Sequence, residues 1–420
     1  MVIVGCIIFP SSVQTKPNKF ILKGRLKLKY KILVYTLLLS MAFPIFATQE
    51  IEEGTMIEIE IELPSISEEQ TDEIKEMEQE ADATPKGTEE ELKETFFDVL
   101  VGLIQKRNEY VLGQDLESLE KLYNLDIKAS KYAFEHESIK AKYLKDWAQK
   151  QGVTIKNVES ELKVRKVRDR ENGLYGMTCN ICTTFTYAYN NALDVENSFK
   201  VGTSHYIHLQ KQGSEYIIVK EWYTDPLCDT VEITMEKPEE MTEFFLNSKL
   251  PEFTPNERLQ KAIEYAHAHC GIGEGEGMFR YNPQYMDCNP LGGDCANFAS
   301  QIMFEGGGFK KNSTWNYTHE GTKDWVNAQG LTYYLINSGR GHRITKGSYA
   351  KTYKTAMQMR PGDIVAYEER GRITHVSTVT GLDSNGYPLV TCHNSDRLLV
   401  PYDLGWSNSG VTYHFIDVYY

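Results

Sequence analysis

The sequence predicts an α+β protein with two folded modules, each of which places helices before antiparallel strands. The first helical pattern begins at Leu92, where apolar residues recur at every fourth position on one face. Between residues 162 and 223 the pattern becomes that of strands rich in β-branched and aromatic residues. A second helix-then-strand order starts at Arg258, and 420 residues exceed what one ordinary core accommodates.

The amino terminus, residues 1–47, carries the pattern of an export signal. Basic residues are concentrated between positions 16 and 31, and an apolar run follows at 32–47. A basic flank, an apolar core and a small residue at Ala47 are typical of a signal peptide cleaved near Ala47–Thr48. The alternative is an uncleaved membrane anchor, although the run is shorter than the roughly 20 residues that span a bilayer comfortably. Both alternatives predict a secreted, cell-surface or cell-wall protein.

Residues 48–90 form an acidic segment that predicts a solvated tether. The stretch 48–100 holds 19 Asp and Glu residues against 3 Lys, and the whole chain has a net charge of −14. Mutual repulsion and a scarcity of aromatic residues favour an extended segment without a core. Beyond these segments the charge is nearly balanced, so the sequence indicates no basic surface for nucleic acid.

Residues 91–225 are expected to fold as an α+β module. The predicted helices and then the predicted strands lie at 92–104, 116–123, 139–151, 162–168, 175–189, 198–210 and 216–223. This order resembles the cone-shaped folds of the nuclear-transport-factor-like superfamily, which pack helices into a curved sheet. The ligand of such a module stays open.

The same module contains Cys179-x-x-Cys182, a spacing that zinc and redox sites use. Within a strand, residues three apart point to opposite faces, and a tetrahedral metal site needs two further ligands. His205 and His208 have the same spacing. We therefore expect ordinary sheet residues at these positions, with neither a metal nor a cofactor.

Residues 226–255 contain several prolines and the acidic run 236–240, which predict a linker. The last module, 256–420, is expected to open with a helix at 258–269. Its candidate nucleophile is Cys295, which follows Gly292, Gly293 and Asp294.

The apolar spacing after Cys295 predicts a helix that ends at the glycines 306–308. Asp294 would be its N-cap and Cys295 a residue of its first turn. The positive end of a helix lowers a thiol pKa, and its free N–H groups can hold an oxyanion. We therefore expect a reactive thiolate at Cys295.

The base for this thiol is expected at His375, near the start of a predicted strand. A turn at 359–363 leads into one strand, His375 lies in the next at 373–381, and a third ends at His393. A cysteine at a helix start that faces a histidine on an antiparallel sheet is the arrangement of papain-like cysteine hydrolases.

The last module resembles a known family in six short segments. They are YNPQY at 281–285, GDCANFASQ at 293–301, GGG at 306–308, DWVNA at 324–328, RPGDI at 360–364 and THV at 374–376. Together they resemble the putative amidase domain of Gram-positive bacteria, which is related to the NlpC/P60 and CHAP peptidoglycan hydrolases of the papain-like class.

The resemblance implies a papain-like fold in which Cys295 is the nucleophile and His375 the general base. In the NlpC/P60 relatives a polar residue, often a histidine, closes the next strand and orients the base. His393 holds that position here, Asn394 would reproduce the papain-type Cys-His-Asn set, and Asp396 is a more distant candidate. The backbone N–H of Cys295 is the expected oxyanion donor.

These features predict an exported cysteine amidase or peptidase that forms a thioester and releases it by hydrolysis. The relatives and the export signal indicate the peptide part of peptidoglycan as substrate, so the expected partner is peptidoglycan or another peptide amide. Transfer of the acyl group to an amine would use the same residues. The alternative is a non-catalytic binding or scaffold protein of the cell surface that retains the hydrolase fold.

Overall fold

The computed structural model describes residues 88–227, 238–272, 279–407 and 410–420. All of them belong to one compact unit, Thr84–Tyr420. The predicted signal or anchor at 1–47 lies outside the described residues, and so does the tether at 48–90 except for its last three residues. None of the described helices is both long enough and apolar enough to cross a bilayer.

The first described helix, α1 (Glu89–Gly113), has a reciprocal cap at its start. The hydroxyl of Thr88 accepts the N–H of Glu91, and the Glu91 carboxylate accepts the N–H of Thr88. Phe96 and Ile104 lie on its buried face, as the period of four predicts. The helix therefore begins within the last residues of the predicted tether.

Two further helices complete the helical part of the first module. α2 is Leu116–Glu120 and α3 is Lys128–Gln151. Both predicted helices are confirmed, but α3 starts well before the expected residue 139. Its early turns bury Ser130, Ala133 and Glu137, which do not form an apolar stripe that the sequence could reveal.

Four antiparallel strands follow, as predicted: β1 (Val153–Asp169), β2 (Leu174–Tyr189), β3 (Glu196–Gln212) and β4 (Glu215–Trp222).

Cys179 and Cys182 pack on different sides of β2, as residues three apart in a strand must. Cys179 belongs to the core that includes α1 and α3, whereas Cys182 packs with Ala266 and Cys270 of the last module. The two thiols therefore belong to separate hydrophobic clusters.

The segment 226–255, expected as a linker, contains the helix α4 (Pro238–Asn247). Met241 and Phe245 of this helix are buried. The hydroxyl of Thr242 donates to the carbonyl oxygen of Lys150 at the end of α3, with an O···O distance of 3.0 Å. Part of the segment thus packs against the first module.

The last module alternates helices with antiparallel strands. Its helices are α5 (Glu257–His269), α6 (Cys295–Gln301), α7 (Lys323–Val326), α8 (Ala328–Asn337) and α9 (Tyr349–Ala356). Its strands are β5 (Gly341–Gly347), β6 (Ile364–Glu369), β7 (Arg372–Leu382), β8 (Pro388–Cys392), β9 (Asp396–Pro401) and β10 (Val411–Val418). The predicted helix at 258–269 and the three strands around His375 are confirmed.

One ten-stranded sheet runs through both modules, in the order β1-β2-β3-β9-β8-β7-β6-β10-β5, with β4 paired to β3. The join is made by β3, whose residues 200–202 pair with residues 396–398 of β9. Farther along β3, residues 206–212 pair with β4. We predicted a module separate from the last one. In the structure the sheet is continuous between them, because β3 is long enough to pair with both β4 and β9.

The strands of the last module separate two hydrophobic clusters. One contains Cys295 and Ala299 of α6 together with Val376 of β7. The other contains Val379 of β7 and Tyr367 of β6, and it continues into the first module. Helix α6 therefore packs on the sheet at the strand that carries His375.

Candidate active site

Two glycines shape the loop that ends at the candidate nucleophile. Gly292 and Gly293 have φ angles of 113° and 135°, which L side chains rarely adopt. A Cβ atom on Gly293 would lie 2.4 Å from Nδ2 of Asn394, so the close approach also requires glycine. Cys295 then begins α6 and is 5% exposed.

Asp294 occupies the N-cap position, but its side chain makes no capping hydrogen bond. Its Oδ1 instead accepts the N–H of Cys288, at 3.0 Å, and Nδ2 of Asn297, at 2.8 Å. Its Oδ2 lies 2.6 Å from Nδ1 of His393. The expected capping role is therefore wrong, because the carboxylate turns into the buried loop and away from the helix N–H groups.

The thiol of Cys295 is protonated at neutral pH. Burial raises its pKa to about 12, against the smaller opposing effects of the N–H groups of Val376 and Ala296. We expected the helix start to lower this pKa. In the structure the cost of burying a thiolate is the larger effect.

His375 lies in β7 and is 4% exposed. Its Nε2 lies 3.1 Å from Oγ of Ser377, and its ring stacks on Trp406 with centroids 5.1 Å apart and planes at 21°. Burial, and to a smaller extent the charge of Arg397, lowers the pKa of His375 to about 3. The imidazole is therefore neutral at physiological pH.

No hydrogen bond joins Cys295 and His375 among the described residues, although the thiol lies beside Val376, the residue that follows His375 in β7. The Cys295 thiol faces the backbone N–H of Val376, and Val376 packs in the cluster that contains Cys295. His375 packs against Tyr367 and Trp406. A shift in the β6–β7 register between His375 and Ile373 sets which side chains face each cluster.

His393, the favoured third member, supports the loop before the candidate nucleophile. Its Nδ1 meets the Asp294 carboxylate, and its Nε2 lies 2.9 Å from the carbonyl oxygen of His269. Its ring is held between those of Tyr281 and Phe298, with centroid distances of 3.9 and 3.8 Å. Both ring nitrogens of His393 therefore have partners other than His375.

Asn394, the alternative third member, forms a hydrogen bond with the backbone of the candidate nucleophile. Its Oδ1 accepts the N–H of Cys295, at 3.1 Å, and also the N–H of Asp294. It adopts a left-handed φ of 87°, which is uncommon for a residue other than glycine. The side-chain oxygen of Asn394 therefore accepts the hydrogen bond from the Cys295 N–H group, which we expected to bind an oxyanion.

Asp396, the more distant candidate, is connected to His393 through Tyr281. Its Oδ1 accepts the hydroxyl of Tyr281 at 2.5 Å, and Tyr281 in turn stacks on His393. Burial raises the pKa of Asp396 to about 6. This carboxyl group therefore supports the ring that packs on His393.

Three residues near the imidazole were not predicted: Ser377, Trp406 and Arg397. Ser377 could have been found, because residues two apart in a strand share a face. Trp406 lies in the loop between β9 and β10, and Arg397 lies in β9. Neither residue lies in the strand of His375, so no sequence periodicity links them to it.

Comparison with known families gives one match. Residues 256–416 match the model of the family described as Putative amidase domain. This segment is less than half of the chain, and it contains Cys295, His375, His393 and Asn394. No curated protein shows significant similarity to the chain. The match supports the resemblance seen in the sequence and indicates an amide-bond hydrolase.

Proposed function

We propose that this protein is an exported cysteine amidase or peptidase that cleaves amide bonds in the stem peptides of peptidoglycan. The family match at 256–416 supports amide hydrolysis. The observation that carries the proposal is the amide oxygen of Asn394, which the N–H groups of Asp294 and Cys295 bind at the candidate nucleophile. A site that binds an amide oxygen there is suited to bind the carbonyl oxygen of a scissile amide.

The proposed reaction starts from a neutral thiol and a neutral imidazole. His375 accepts the proton of Cys295 as the sulfur attacks the carbonyl carbon, and the oxyanion takes the place of the Asn394 amide oxygen. The protonated His375 then donates to the leaving amine, which yields a thioester that water hydrolyses. The pKa values of about 12 for Cys295 and about 3 for His375 support transfer during attack over a standing ion pair.

In this proposal Asp294 and His393 hold the nucleophile's loop. The buried contact between them, at 2.6 Å, fixes the residue directly before Cys295. Ser377, which lies 3.1 Å from Nε2 of His375, is the side chain that orients the base. Nδ1 of His375 has no hydrogen-bond partner among the described residues, so it is the nitrogen proposed to accept the thiol proton.

A non-catalytic binding protein is the second candidate. Burial of Cys295, its raised thiol pKa and the absence of a Cys295–His375 hydrogen bond within the described residues favour it. The amide-binding N–H groups would then hold a ligand without cleaving it.

The decisive experiment incubates the full chain with purified peptidoglycan and muropeptides and measures new amino and carboxyl ends by mass spectrometry. The full chain is needed because β9 of the hydrolase pairs with β3. We expect Cys295→Ala to lower cleavage by at least about 10³-fold, as loss of a nucleophile does. Cys392→Ala, which removes another buried thiol nearby, is the matched control and should stay within about tenfold of the wild type. Equal cleavage by wild type and Cys295→Ala would refute the proposal.

Export is part of the proposal and has its own test. The basic residues before position 32 and the apolar run at 32–47 support it. Mass spectrometry of the mature amino terminus should find a new end near Thr48 in the extracellular or wall fraction. A full-length chain confined to the cytoplasm would contradict export without affecting the chemistry.

A further inference from the structure

The loop between β9 and β10, residues 402–407, carries the aromatic ring that packs on the proposed base. The ring of Trp406 stacks on His375, and Tyr367 stacks on Trp406 with centroids 4.6 Å apart. The hydroxyl of Tyr413 donates to the carbonyl oxygen of Trp406 at 2.7 Å. The position of this loop therefore decides how His375 is packed.

The first module holds the same loop through a buried ion pair. Asp403 and Lys150 of α3 form a direct ion pair, and both side chains are fully buried. Nε1 of Trp147, also in α3, donates to Asp403 at 3.2 Å, and the hydroxyl of Tyr387 donates to it at 2.7 Å. Because an unpaired buried charge is costly, Asp403 is kept next to Lys150.

A second attachment lies at Gly405, two residues farther along. Its N–H donates to the hydroxyl of Tyr143 in α3 at 2.7 Å. Gly405 has a φ of 89°, and a Cβ atom there would lie only 2.0 Å from the carbonyl oxygen of Pro226. The backbone of the loop at Gly405 and that of Pro226, directly after the first module, therefore approach as closely as glycine allows.

Arg397 connects these attachments with the base. Its Nη2 donates to the carbonyl oxygen of Pro226 at 2.7 Å, and its Nη1 donates to that of Leu404 at 2.8 Å. The guanidinium lies 5.9 Å from the centroid of the Trp406 ring. Its positive charge also contributes, after burial, to the lowered pKa of His375.

The other titratable groups around His375 carry no charge at neutral pH. Tyr367 of β6 lies beside the imidazole, and Cys392 of β8 lies beside Ser377. Burial raises the pKa of both Tyr367 and Cys392. Within the described part of the chain, Arg397 is the charged group that acts on His375.

We propose that the first module is a positioning element of the hydrolase: Lys150, Tyr143 and Pro226 hold the 402–407 loop and Arg397, which in turn fix the packing and charge around His375. This inference rests on the proposed function, in which His375 is the base. It assigns to residues 91–225, and to Pro226 directly after them, a role in the reaction beyond attachment or spacing. Lys150, Tyr143 and Arg397 are positioning residues, because they act through Trp406 and His375.

The test compares variants of the full chain by the pH profile of kcat/KM and by NMR titration of the His375 imidazole. Arg397→Gln removes the charge near His375, so the pKa of His375 and the acid limb of the profile should both rise, by about one unit. Arg397→Lys restores the charge and should return the acid limb to near the wild-type pH.

A second variant tests the ion pair without leaving an unpaired buried charge. The double change Lys150→Met with Asp403→Asn removes both charges, and we expect kcat to fall about tenfold, since small displacements of a catalytic group have effects of this size or larger. The NMR signal of His375 should also shift as the Trp406 ring moves. Lys142→Met is the matched control, because Lys142 lies on the same helix and forms an exposed pair with Asp146.

If the His375 titration and signal in both test variants equal those of Lys142→Met, the inference is wrong and the first module only attaches the hydrolase. The NMR measurement needs no turnover. An inactive wild-type chain would therefore refute the proposed hydrolysis, and the His375 signal would still decide this inference separately.

Discussion

Two buried polar regions of this compact unit differ in charge: the side chains of one are ionised, and those of the other are neutral. In the first module Nη1 of Arg107 lies 2.8 Å from both carboxylate oxygens of Glu221, and Nζ of Lys140 lies 2.6 Å from Glu137. Burial alone would raise the pKa of Glu221, but the charge of Arg107 holds it well below its usual range. This ionic cluster therefore keeps its charges by pairing them.

The region around Cys295 and His375 is equally buried, but both groups are neutral. Burial raises the pKa of Cys295 to about 12 and lowers that of His375 to about 3, and no opposite charge offsets it for either group. The comparison shows that buried titratable groups are either charged and paired or neutral, depending on the partners that the fold supplies. In the proposed reaction, Cys295 and His375 would become charged only as the thiol proton is transferred.

The largest expected effect is on the reactivity of the Cys295 thiol toward iodoacetamide. Because its pKa is raised, thiolate appears only as the pH approaches 12, so labelling should keep rising through pH 10 without a plateau. At pH 7.5 the rate should be about 10³-fold below that of an ordinary cysteine with a pKa near 8.5. Mass spectrometry of the Cys295 peptide, with unfolded chain as reference, measures this. A plateau below pH 8.5 would mean that Cys295 carries a standing charge.

The next effect concerns the ionic cluster. Arg107→Met leaves Glu221 and Glu137 buried without their shared cation, which should lower the free energy of unfolding by about 4 kcal/mol. Urea unfolding measures the loss. Lys261→Met, which removes an exposed pair with Glu257, is the control and should cause no measurable change. A loss below about 1 kcal/mol for Arg107→Met would show that the cluster does not depend on paired charge.

A smaller effect is expected from His393→Phe. The new ring keeps the packing between Tyr281 and Phe298 but leaves the Asp294 carboxylate without its 2.6 Å partner. We expect a loss of about 2–3 kcal/mol in unfolding free energy and about tenfold in cleavage rate.

His414→Phe is the matched control for this change. His414 is also a buried strand histidine next to a carboxylate, since its Nε2 lies 2.9 Å from Glu368. The control should lose stability without losing rate. If His393→Phe affects the rate no more than His414→Phe does, the contact between His393 and Asp294 has no part in the reaction.

Local sequence patterns predicted most of the helices and strands, and the choice of Cys295 and His375 as site residues stays a prediction. The four-residue period from Leu92 and the β-rich stretches reveal helices and strands because each element's buried face repeats along the chain. Cys295 and His375 were identified because short glycine, aspartate and strand motifs surround them. The family match at 256–416 supports the predicted amidase domain.

The remaining features depend on contacts between distant residues. The ion pair of Lys150 with Asp403 joins residues 253 positions apart, and the β3–β9 pairing joins strands of two modules. The register shift at Thr374 changes which side chains share a face, and one sequence does not reveal an unpaired residue in a strand. A second register shift, between Val390 and Cys392 of β8, lies directly before His393, so strand parity could not decide among His393, Asn394 and Asp396.

The smallest expected effect distinguishes the two roles open to Asn394. Asn394→Gly removes the amide oxygen from the N–H groups of Asp294 and Cys295, and glycine tolerates the φ of 87°. A substrate carbonyl oxygen then no longer competes with the Asn394 oxygen for these N–H groups. We therefore expect KM to fall about threefold with kcat nearly unchanged, an effect of the size of one net hydrogen bond or smaller. Asn394→Asp, which puts a charged oxygen at the same position, should raise KM. Loss of activity by about 10²-fold or more in Asn394→Gly would instead make Asn394 an orienting member of a Cys-His-Asn set, because competition with substrate cannot produce such a loss.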